Sequence, residues 1–316
     1  GSVVTWGAAS CGGDSAAVKD QLHSVSQIQA APAAFAAVLC TGSVVTWGDP
    51  SSGGDSRRVQ EHLRGVQQIQ STGGAFAAIL ETGSVVTWGR ADSGGDSSYV
   101  KGALHDIQHV QASCSAFAAI RRDGTALAWG DVSSGGDDRN VRDQLHDVKE
   151  VQSTQHAFAA IRRDGSVVTW GSMVSGGDST GVQAQLRDVR HVQATWAAFA
   201  AVRGDGSVVT WGDNEHGGNS HSVISQLRDV LSIQATWAAF AALRSDGSVV
   251  TWGEAFSGGD SGIVKEQLRN VQHIQATRSA FAAVCSDGSI VAWGDPLEGG
   301  DTSAVRGQLQ VVPGES

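Results

Sequence analysis

Two tryptophans and an arginine recur at one spacing and have side chains suited to molecular recognition. Trp196 and Trp237 lie 41 residues apart, and Arg278 follows Trp237 at the same interval. Indole rings and guanidinium groups are enriched among the residues that dominate protein contacts. If the chain repeats one structural unit at this interval, equivalent residues lie on neighbouring units and these three side chains are brought together.

Signals for catalysis or metal binding are weaker. No histidine pairs with a serine or a cysteine at a recurrent spacing, which argues against a repeated nucleophile and base. Cys11, Cys40, Cys114 and Cys285 occupy different repeat positions and form no CxxC pair, which predicts free thiols. The repeated GGDS lacks the GGxGxD nonapeptide of calcium-binding repeats. We therefore expect no catalytic residues, no metal and no cofactor, in a protein that is not an enzyme.

A tryptophan in a VTWG or AWG stretch recurs along the whole chain. Its eight positions, each 41 residues after the last, are Trp6, Trp47, Trp88, Trp129, Trp170, Trp211, Trp252 and Trp293. The phenylalanine of an AFAA segment keeps the same interval from Phe35 to Phe281. We predict a single domain over 1–316, with repeats 1–41, 42–82, 83–123, 124–164, 165–205, 206–246 and 247–287 and a partial eighth repeat or closure segment at 288–316.

One stretch of repeat length, residues 148–188, predicts the local structure. VKEVQS, HAFAAI and SVVTW are short segments rich in apolar, β-branched and aromatic residues, which favours strands. The Asp-Gly between the second and third segments indicates a tight hairpin. In the following segment Asp178 or Ser179 is expected to cap a short helical turn that places Val182 and Leu186 on one face.

Such a repeat has too little apolar surface to fold alone, so its neighbours must cover its sheet faces. Radial stacking gives an all-β, seven-bladed β-propeller with three to four short antiparallel strands per blade and a short helical turn. We expect the repeated tryptophan to pack as a wedge between blades. Burying roughly 150–250 Å² of an indole side chain stabilises a fold by at most about 4–6 kcal/mol.

The segment VQHIQATRSAFAAVCSDGSIVAWG, residues 271–294, resembles the repeat of the regulator of chromosome condensation family, whose V..I.AG..H..AL..DG.V..WG pattern builds a seven-bladed propeller. The compact 41-residue repeat is similar to that of β-lactamase inhibitory protein II. In that inhibitor the N-terminal strand completes the last blade, and both SVVTWG at 2–7 and SIVAWG at 289–294 suit this role here.

The chain also departs from the family pattern. Threonine or serine replaces the glycine after the first strand in most repeats, and alanine replaces the usual histidine. Nucleotide exchange, the family's best-known activity, relies on a protruding wedge, for which repeats of equal length offer no candidate. The resemblance therefore implies the fold and does not transfer any member's partner to this chain.

Loops in which the repeats differ are the best candidates for a binding surface. Because strand direction alternates, the loop after the first strand and the insert after the third strand should emerge on one face, which we call the loop rim. The first loop varies at Pro32, Gly73, Cys114, Gln155, Trp196, Trp237 and Arg278. The four-residue inserts are AASC, DPSS, RADS, DVSS, SMVS, DNEH, EAFS and DPLE.

Eight residues of the loop rim form the predicted partner-binding set: Trp196, Trp237, Arg278, Gln155, His156, Met173, His216 and Phe256. They belong to the loops of blades four to seven, and their types include those enriched in binding hot spots. The alternative is that these loop tips vary because nothing constrains them.

Charge favours some partners over others. The net charge is −10, from 22 basic and 32 acidic residues, which argues against nucleic acid or an anionic membrane surface as a partner. Only Arg90 opposes the acidic insert residues Asp49, Asp92, Asp131, Asp213, Glu215, Glu254, Asp295 and Glu298. We therefore expect an acidic loop rim that attracts a basic protein.

No apolar run approaches the roughly 20 residues of a membrane span, so we expect no membrane insertion. No signal peptide is visible, which favours the cytoplasm or the nucleus while leaving the compartment open. The function that these patterns favour is that of a noncatalytic protein-binding propeller, an interaction scaffold or an inhibitor-like module. The alternatives are a carbohydrate-binding lectin and an excised piece of a longer repeat array without rim function.

Overall fold

The computed structural model of the 316-residue chain describes residues 1–305. Two compact halves are distinguished: the first comprises Gly1–Arg162 and Trp170–Ser172, and the second comprises Arg163–Thr169 and the chain from Met173 onward. The end of the partial eighth repeat, including its QLQVVPGES segment, lies outside the described residues.

Seven antiparallel sheets of three strands each follow one another along the chain, and we call each sheet a blade. The first strands are β1 Val25–Ala30, β4 Val66–Ser71, β7 Ile107–Ala112, β10 Val148–Ser153, β13 Val189–Ala194, β16 Val230–Ala235 and β19 Val271–Ala276. The second strands are β2 Ala34–Leu39, β5 Ala75–Leu80, β8 Ala116–Arg121, β11 Ala157–Arg162, β14 Ala198–Arg203, β17 Ala239–Arg244 and β20 Ala280–Cys285. The third strands are β3 Val44–Gly48, β6 Val85–Gly89, β9 Ala126–Gly130, β12 Val167–Gly171, β15 Val208–Gly212, β18 Val249–Gly253 and β21 Ile290–Gly294.

These sheets confirm the predicted fold class, all-β with seven blades. Each blade takes its first two strands from one predicted repeat and its third from the next, so β21 completes blade 7. The N-terminal residues Ser2–Trp6 belong to none of the sheets formed by the described residues.

Short helical turns join the blades. One group forms the inserts: 3₁₀ turns Ala9–Cys11, Pro50–Ser52, Ala91–Ser93, Val132–Ser134, Met173–Ser175 and Pro296–Glu298, and π turns Asn214–Gly218 and Ala255–Gly259. A second group of 3₁₀ turns lies further along each connection, at Ala16–Gln21, Gln60–His62, Ser98–Ala103, Arg142–Gln144, Gln183–Gln185, Ile224–Gln226 and Gly262–Val264.

The predicted cap of the turn before β13 is wrong in detail. The turn begins only at Gln183, and Val182 precedes it without a side-chain cap. Asp178 instead accepts a hydrogen bond from the amide of Thr180 at 2.9 Å, which closes a local turn further upstream. Leu186 is fully buried, as the spacing predicted, whereas Val182 is half-buried.

The repeated tryptophan links each blade to the preceding insert. Trp252, for example, stacks on Phe240 of its own blade with ring centroids 5.2 Å apart. Its Nε1–H donates to the carbonyl of Gly217, 35 residues earlier, at 3.0 Å. The same pair of contacts recurs for Trp47, Trp88, Trp129, Trp170, Trp211 and Trp293.

Trp6 does not follow the predicted wedge role. Its side chain is 84% exposed, and the neighbouring Val4 is 79% exposed. Within residues 1–305, Trp6 makes neither the hydrogen bond to a glycine carbonyl nor the phenylalanine stack that the other seven rings make. The wedge is therefore a contact between a third strand and the repeat before it.

Candidate functional site

The two variable loops of each blade meet on one face, as predicted. The amide of the first insert residue donates to the carbonyl of the residue that precedes the second strand. This hydrogen bond joins Asp131 to Ser115, Asp213 to Ala197 and Glu254 to Ala238, each at 2.9 Å. The loop rim is thus held together by backbone contacts in the individual blades.

A buried hydroxyl explains why threonine or serine occupies the position after the first strand. Thr195 Oγ1 accepts from the amide of Ala198 at 3.1 Å and donates to the carbonyl of His216 at 2.8 Å. Thr236 makes the equivalent bonds to Ala239 and Ser257. The hydroxyl therefore closes the first loop and ties it to the insert, a contact that glycine lacks.

Backbone hydrogen bonds also join the first loops of successive blades. In the second half the amide of Trp196 donates to the carbonyl of Trp237 at 2.9 Å, and that of Trp237 donates to Arg278 at 2.7 Å. In the first half Cys114 donates in the same way to Gln155 at 2.9 Å. These backbone hydrogen bonds therefore place the variable side chains of successive first loops side by side.

Four predicted residues form one cluster in the second half, which we call the aromatic patch: Trp196, Trp237, Arg278 and His216. The two indole rings meet edge to face with centroids 5.2 Å apart. Arg278 lies over the Trp237 ring, with Cζ 5.4 Å from the centroid, and the His216 ring meets Trp237 edge-on at 5.5 Å. Each tryptophan is 37% exposed, so the patch combines packed rings with a surface open to solvent.

The other predicted rim residues lie outside this cluster. Met173 and Phe256 are exposed in their inserts at 71% and 61%, and Phe256 makes no ring contact within residues 1–305. Gln155 and His156 are half-buried in the first half. The structure therefore joins four of the eight predicted residues into one patch.

Acidic groups beside the aromatic patch are held in their charged form. Asp213 Oδ1 lies 2.7 Å from His216 Nδ1, and this contact is the main cause that lowers the pKa of Asp213. Burial raises the pKa of Glu254, but hydrogen bonds from Ser257 and Phe256 outweigh it and lower the pKa overall. Both carboxylates therefore add persistent negative charge at the patch.

The single basic insert residue is neutralised locally. Arg90 forms an ion pair with Asp92 at 3.1 Å, and the hydrogen bond from Arg90 is the main cause that lowers the pKa of Asp92. In the insert DPSS, which follows the third strand of blade 1, the Ser51 hydroxyl is the main cause that lowers the pKa of Asp49. The inserts thus keep the acidic character expected from the sequence.

The structure reveals one cluster that the sequence analysis did not find. His156 Nδ1 lies 3.2 Å from Cys114 Sγ and 3.2 Å from Ser134 Oγ, all in the first half. Cys114 and His156 are 42 residues apart, which is one repeat plus one position. A search for pairs near the repeat interval, rather than for a recurrent pair, would have detected them.

A cleft of about 880 Å³ lies beside the third strand of blade 3, also in the first half, lined in part by Tyr99, Leu145 and three arginines. Those arginines already have partners within the molecule: Arg121 donates to the carbonyl of Ala103, Arg139 pairs with Asp137, and Arg142 pairs with Asp138. The cleft is therefore a structural groove whose charged groups are occupied.

Residues 1–305 contain no group of three or more histidine, cysteine, aspartate or glutamate side chains placed to hold a metal ion. Within the same range, no helix has both the length and the apolar character needed to cross a membrane.

Comparisons with known proteins give matches only among solved structures. No protein-family model matches the chain, and no curated protein matches it.

Three of the similar solved structures are those of a human, a plant and a yeast protein. Human WBSCR16 is similar with a TM-score of 0.47 and 14% identity, over 87% of this chain and 77% of that one. The ectodomain of the receptor kinase ACR4 from Arabidopsis thaliana has a TM-score of 0.45 and 16% identity, over 83% and 93%. Prp20p from Saccharomyces cerevisiae, the yeast RCC1, whose binding to Gsp1p and histones has been described, has a TM-score of 0.44 and 15% identity, over 75% and 73%. The chain is thus similar to these three solved structures at low sequence identity.

Proposed function

We propose that this chain is a noncatalytic protein-binding propeller, an interaction scaffold or inhibitor-like module that engages its partner through the loop rim. The observation that carries this proposal is the aromatic patch, in which the partly exposed Trp237 ring has the Trp196 ring centroid at 5.2 Å and the Arg278 Cζ at 5.4 Å. Tryptophan and arginine are the residues most enriched where truncation to alanine costs the most binding energy.

The patch is organised before any partner arrives. Trp196, Trp237 and Arg278 are linked through their backbones, and the Trp237 ring is packed between three neighbouring side chains. Side chains held in this way lose little conformational freedom on binding, so more of the contact energy appears as affinity. This rigidity favours a recognition role over freely varying loop tips.

The charge around the patch favours a basic partner. Asp213 and Glu254 stay ionised for the reasons given above, and Glu215 lies exposed in the same insert as Asp213. A positively charged protein surface would be steered toward such a rim, and its association rate would fall as salt is added.

Carbohydrate binding is the second candidate function, because exposed indole rings also stack on sugar faces. The edge-to-face packing of Trp196 against Trp237, at 68° between ring planes, presents a stepped surface rather than two parallel platforms. Asp213 and Glu254, two acidic residues of the inserts, already accept local hydrogen bonds from amides of their own inserts. These contacts favour the protein-binding proposal over the lectin.

The test is affinity capture from an extract of the source organism, with wild type beside the double variant Trp196→Ala with Trp237→Ala. Each captured protein would then be purified and titrated against both forms. We expect the double variant to weaken binding by about 100-fold, since each hot spot contributes at least about 2 kcal/mol and such contributions are not fully additive.

Ile224→Ala is the matched control, because Ile224 is also an apolar side chain of the second half, 47% exposed, but lies outside the loop rim. It should bind as wild type does. Equal binding by the double variant would contradict the proposal. Glycans captured in place of a protein would support the lectin, and recovery of no ligand would support an array without rim function.

A further inference from the structure

Cys114 and His156 are held in contact by the backbone. The two side chains come from the first loops of adjacent blades in the first half, and Sγ lies 3.2 Å from Nδ1. The amide of Cys114 donates to the carbonyl of Gln155, the residue next to His156, at 2.9 Å. This backbone hydrogen bond holds the two loops together, and the thiol and the imidazole therefore lie side by side.

Two further groups orient the imidazole. Ser134 Oγ lies 3.2 Å from His156 Nδ1 and donates to Asp131 Oδ1 at 3.0 Å. A hydroxyl has one proton, and because Asp131 accepts it, the oxygen turns its lone pairs toward the imidazole. The Ser133 hydroxyl is the main cause that keeps the pKa of Asp131 low, so this carboxylate is charged. Ser134 therefore connects the His156 ring to the Asp131 carboxylate through short contacts, and its Oγ also lies 3.4 Å from Cys114 Sγ.

The thiol can be reached from outside. Cys114 is partly exposed, and its neighbour in the preceding blade is Gly73. A Cβ placed on Gly73 would meet only the carbonyl oxygen of Cys114 within 4 Å, so no side chain packs against Gly73. Of the other cysteines, Cys11 and Cys40 are exposed and Cys285 is buried. None of these three forms a hydrogen bond with a histidine in the part of the chain that the structure describes.

We propose that Cys114 is a reactive thiol that exchanges with small disulfides, with His156 as the acceptor of its proton. The imidazole takes the thiol proton, and the Cys114 thiolate attacks one sulfur of the disulfide. A new S–S bond joins Cys114 to that half of the reagent as the original S–S bond breaks. The departing thiolate leaves with the electron pair and is protonated by the imidazolium, so Cys114 is oxidised and half of the disulfide is reduced. This modification site is independent of the protein-binding function proposed above.

The experiment treats the full chain with oxidised glutathione at neutral pH and follows the adduct on each cysteine by mass spectrometry. A free thiol is only a few per cent ionised under these conditions. Transfer of the Cys114 proton to the adjacent His156 generates the attacking thiolate at the site, so we expect Cys114 to react about fivefold faster than Cys11 or Cys40.

Two variants separate proton transfer from a merely structural contact. His156→Ala and His156→Gln should both reduce the Cys114 rate by about fivefold, because glutamine can form a hydrogen bond but cannot take the proton. Cys11 and Cys40 serve as internal rate standards in every sample, and protection of the buried Cys285 verifies that each variant is folded. The proposal is overturned if Cys114 reacts no faster than Cys40 in wild type, or if His156→Gln retains the wild-type rate.

Discussion

The carboxylate of Asp138 accepts a hydrogen bond from the backbone amide of Ala128 at 2.9 Å. In most other blades the equivalent residues are a serine and a threonine whose hydroxyls lie about 3 Å apart, as in Thr210 and Ser220 at 3.0 Å. Blade 3 lacks the threonine hydroxyl and uses a fully buried aspartate instead, whose second oxygen pairs with Arg142. In blade 3, Asp138 and Arg142 therefore replace the hydrogen bond that is lost because residue 128 is alanine rather than threonine.

Replacing the Ala128–Asp138 pair of blade 3 by the threonine–serine pair of most other blades should restore stability that is lost when Asp138 alone is replaced. Asp138→Ser alone is expected to cost about 2 kcal/mol, because the Ala128 amide and the Arg142 guanidinium both lose a strong acceptor. Adding Ala128→Thr supplies the hydroxyl that the serine meets in other blades and should recover at least half of the loss. Urea unfolding of wild type, both single variants and the double variant measures the coupling. Purely additive effects would show that the two positions do not compensate each other.

Glycine is required at the first position of the Gly-Gly pair that follows each four-residue insert. Gly258 has φ of +91°, and a Cβ there would lie 2.6 Å from Phe281 Cδ2, beside the carbonyl that accepts from Trp293. Gly258→Ala should lower the free energy of unfolding by about 2–4 kcal/mol, from backbone strain together with displacement of a buried ring. Gly181→Ala is the matched control in the same half, because a Cβ there meets nothing within 4 Å. Its effect should stay within about 0.5 kcal/mol in the same denaturant titration, and a similar loss for both variants would refute the steric explanation.

Acid should weaken the protein through two local ion pairs. Hydrogen bonds from Arg57 lower the pKa of Asp55 from 3.8 to about 2, and Arg139 acts on Asp137 in the same way. Because the folded-state pKa values lie below the unfolded value, the stabilisation is present above about pH 4 and is lost as the pH falls toward about 2. Both pairs are largely exposed to solvent, so each contribution is small.

The measurement for these pairs is the unfolding midpoint in urea across that pH range. Asp55→Asn with Asp137→Asn should have a shallower fall of stability with decreasing pH than wild type does. The matched control is Asp301→Asn, since Asp301 has no arginine partner among residues 1–305 and receives its hydrogen bonds from Ser303. Identical pH profiles for wild type and the double variant would assign the acid sensitivity to other carboxylates.

The positions of the strands could be predicted because they depend on short stretches that recur every 41 residues. AFAA, Asp-Gly or Thr-Gly, and VTW or AW contain the apolar and turn residues that specify a central strand, a hairpin and an outer strand, and the structure has these elements in all seven blades. The capping of the turn before β13 was predicted wrongly, because Asp178 can satisfy either a helix start or an earlier local turn and only the folded backbone decides between them.

The sequence by itself determined the number of blades, the strands within each and the face on which the variable loops emerge, because these follow from local patterns and from alternating strand direction. Tertiary structure alone decided which side chains meet across adjacent blades: Trp237 with His216, Cys114 with His156, and Asp138 with an alanine amide. It also decided that Trp6 lies exposed while seven equivalent tryptophans are buried. Such contacts depend on what the neighbouring repeat presents within a few ångströms, and a residue's own local sequence carries no information about that neighbour.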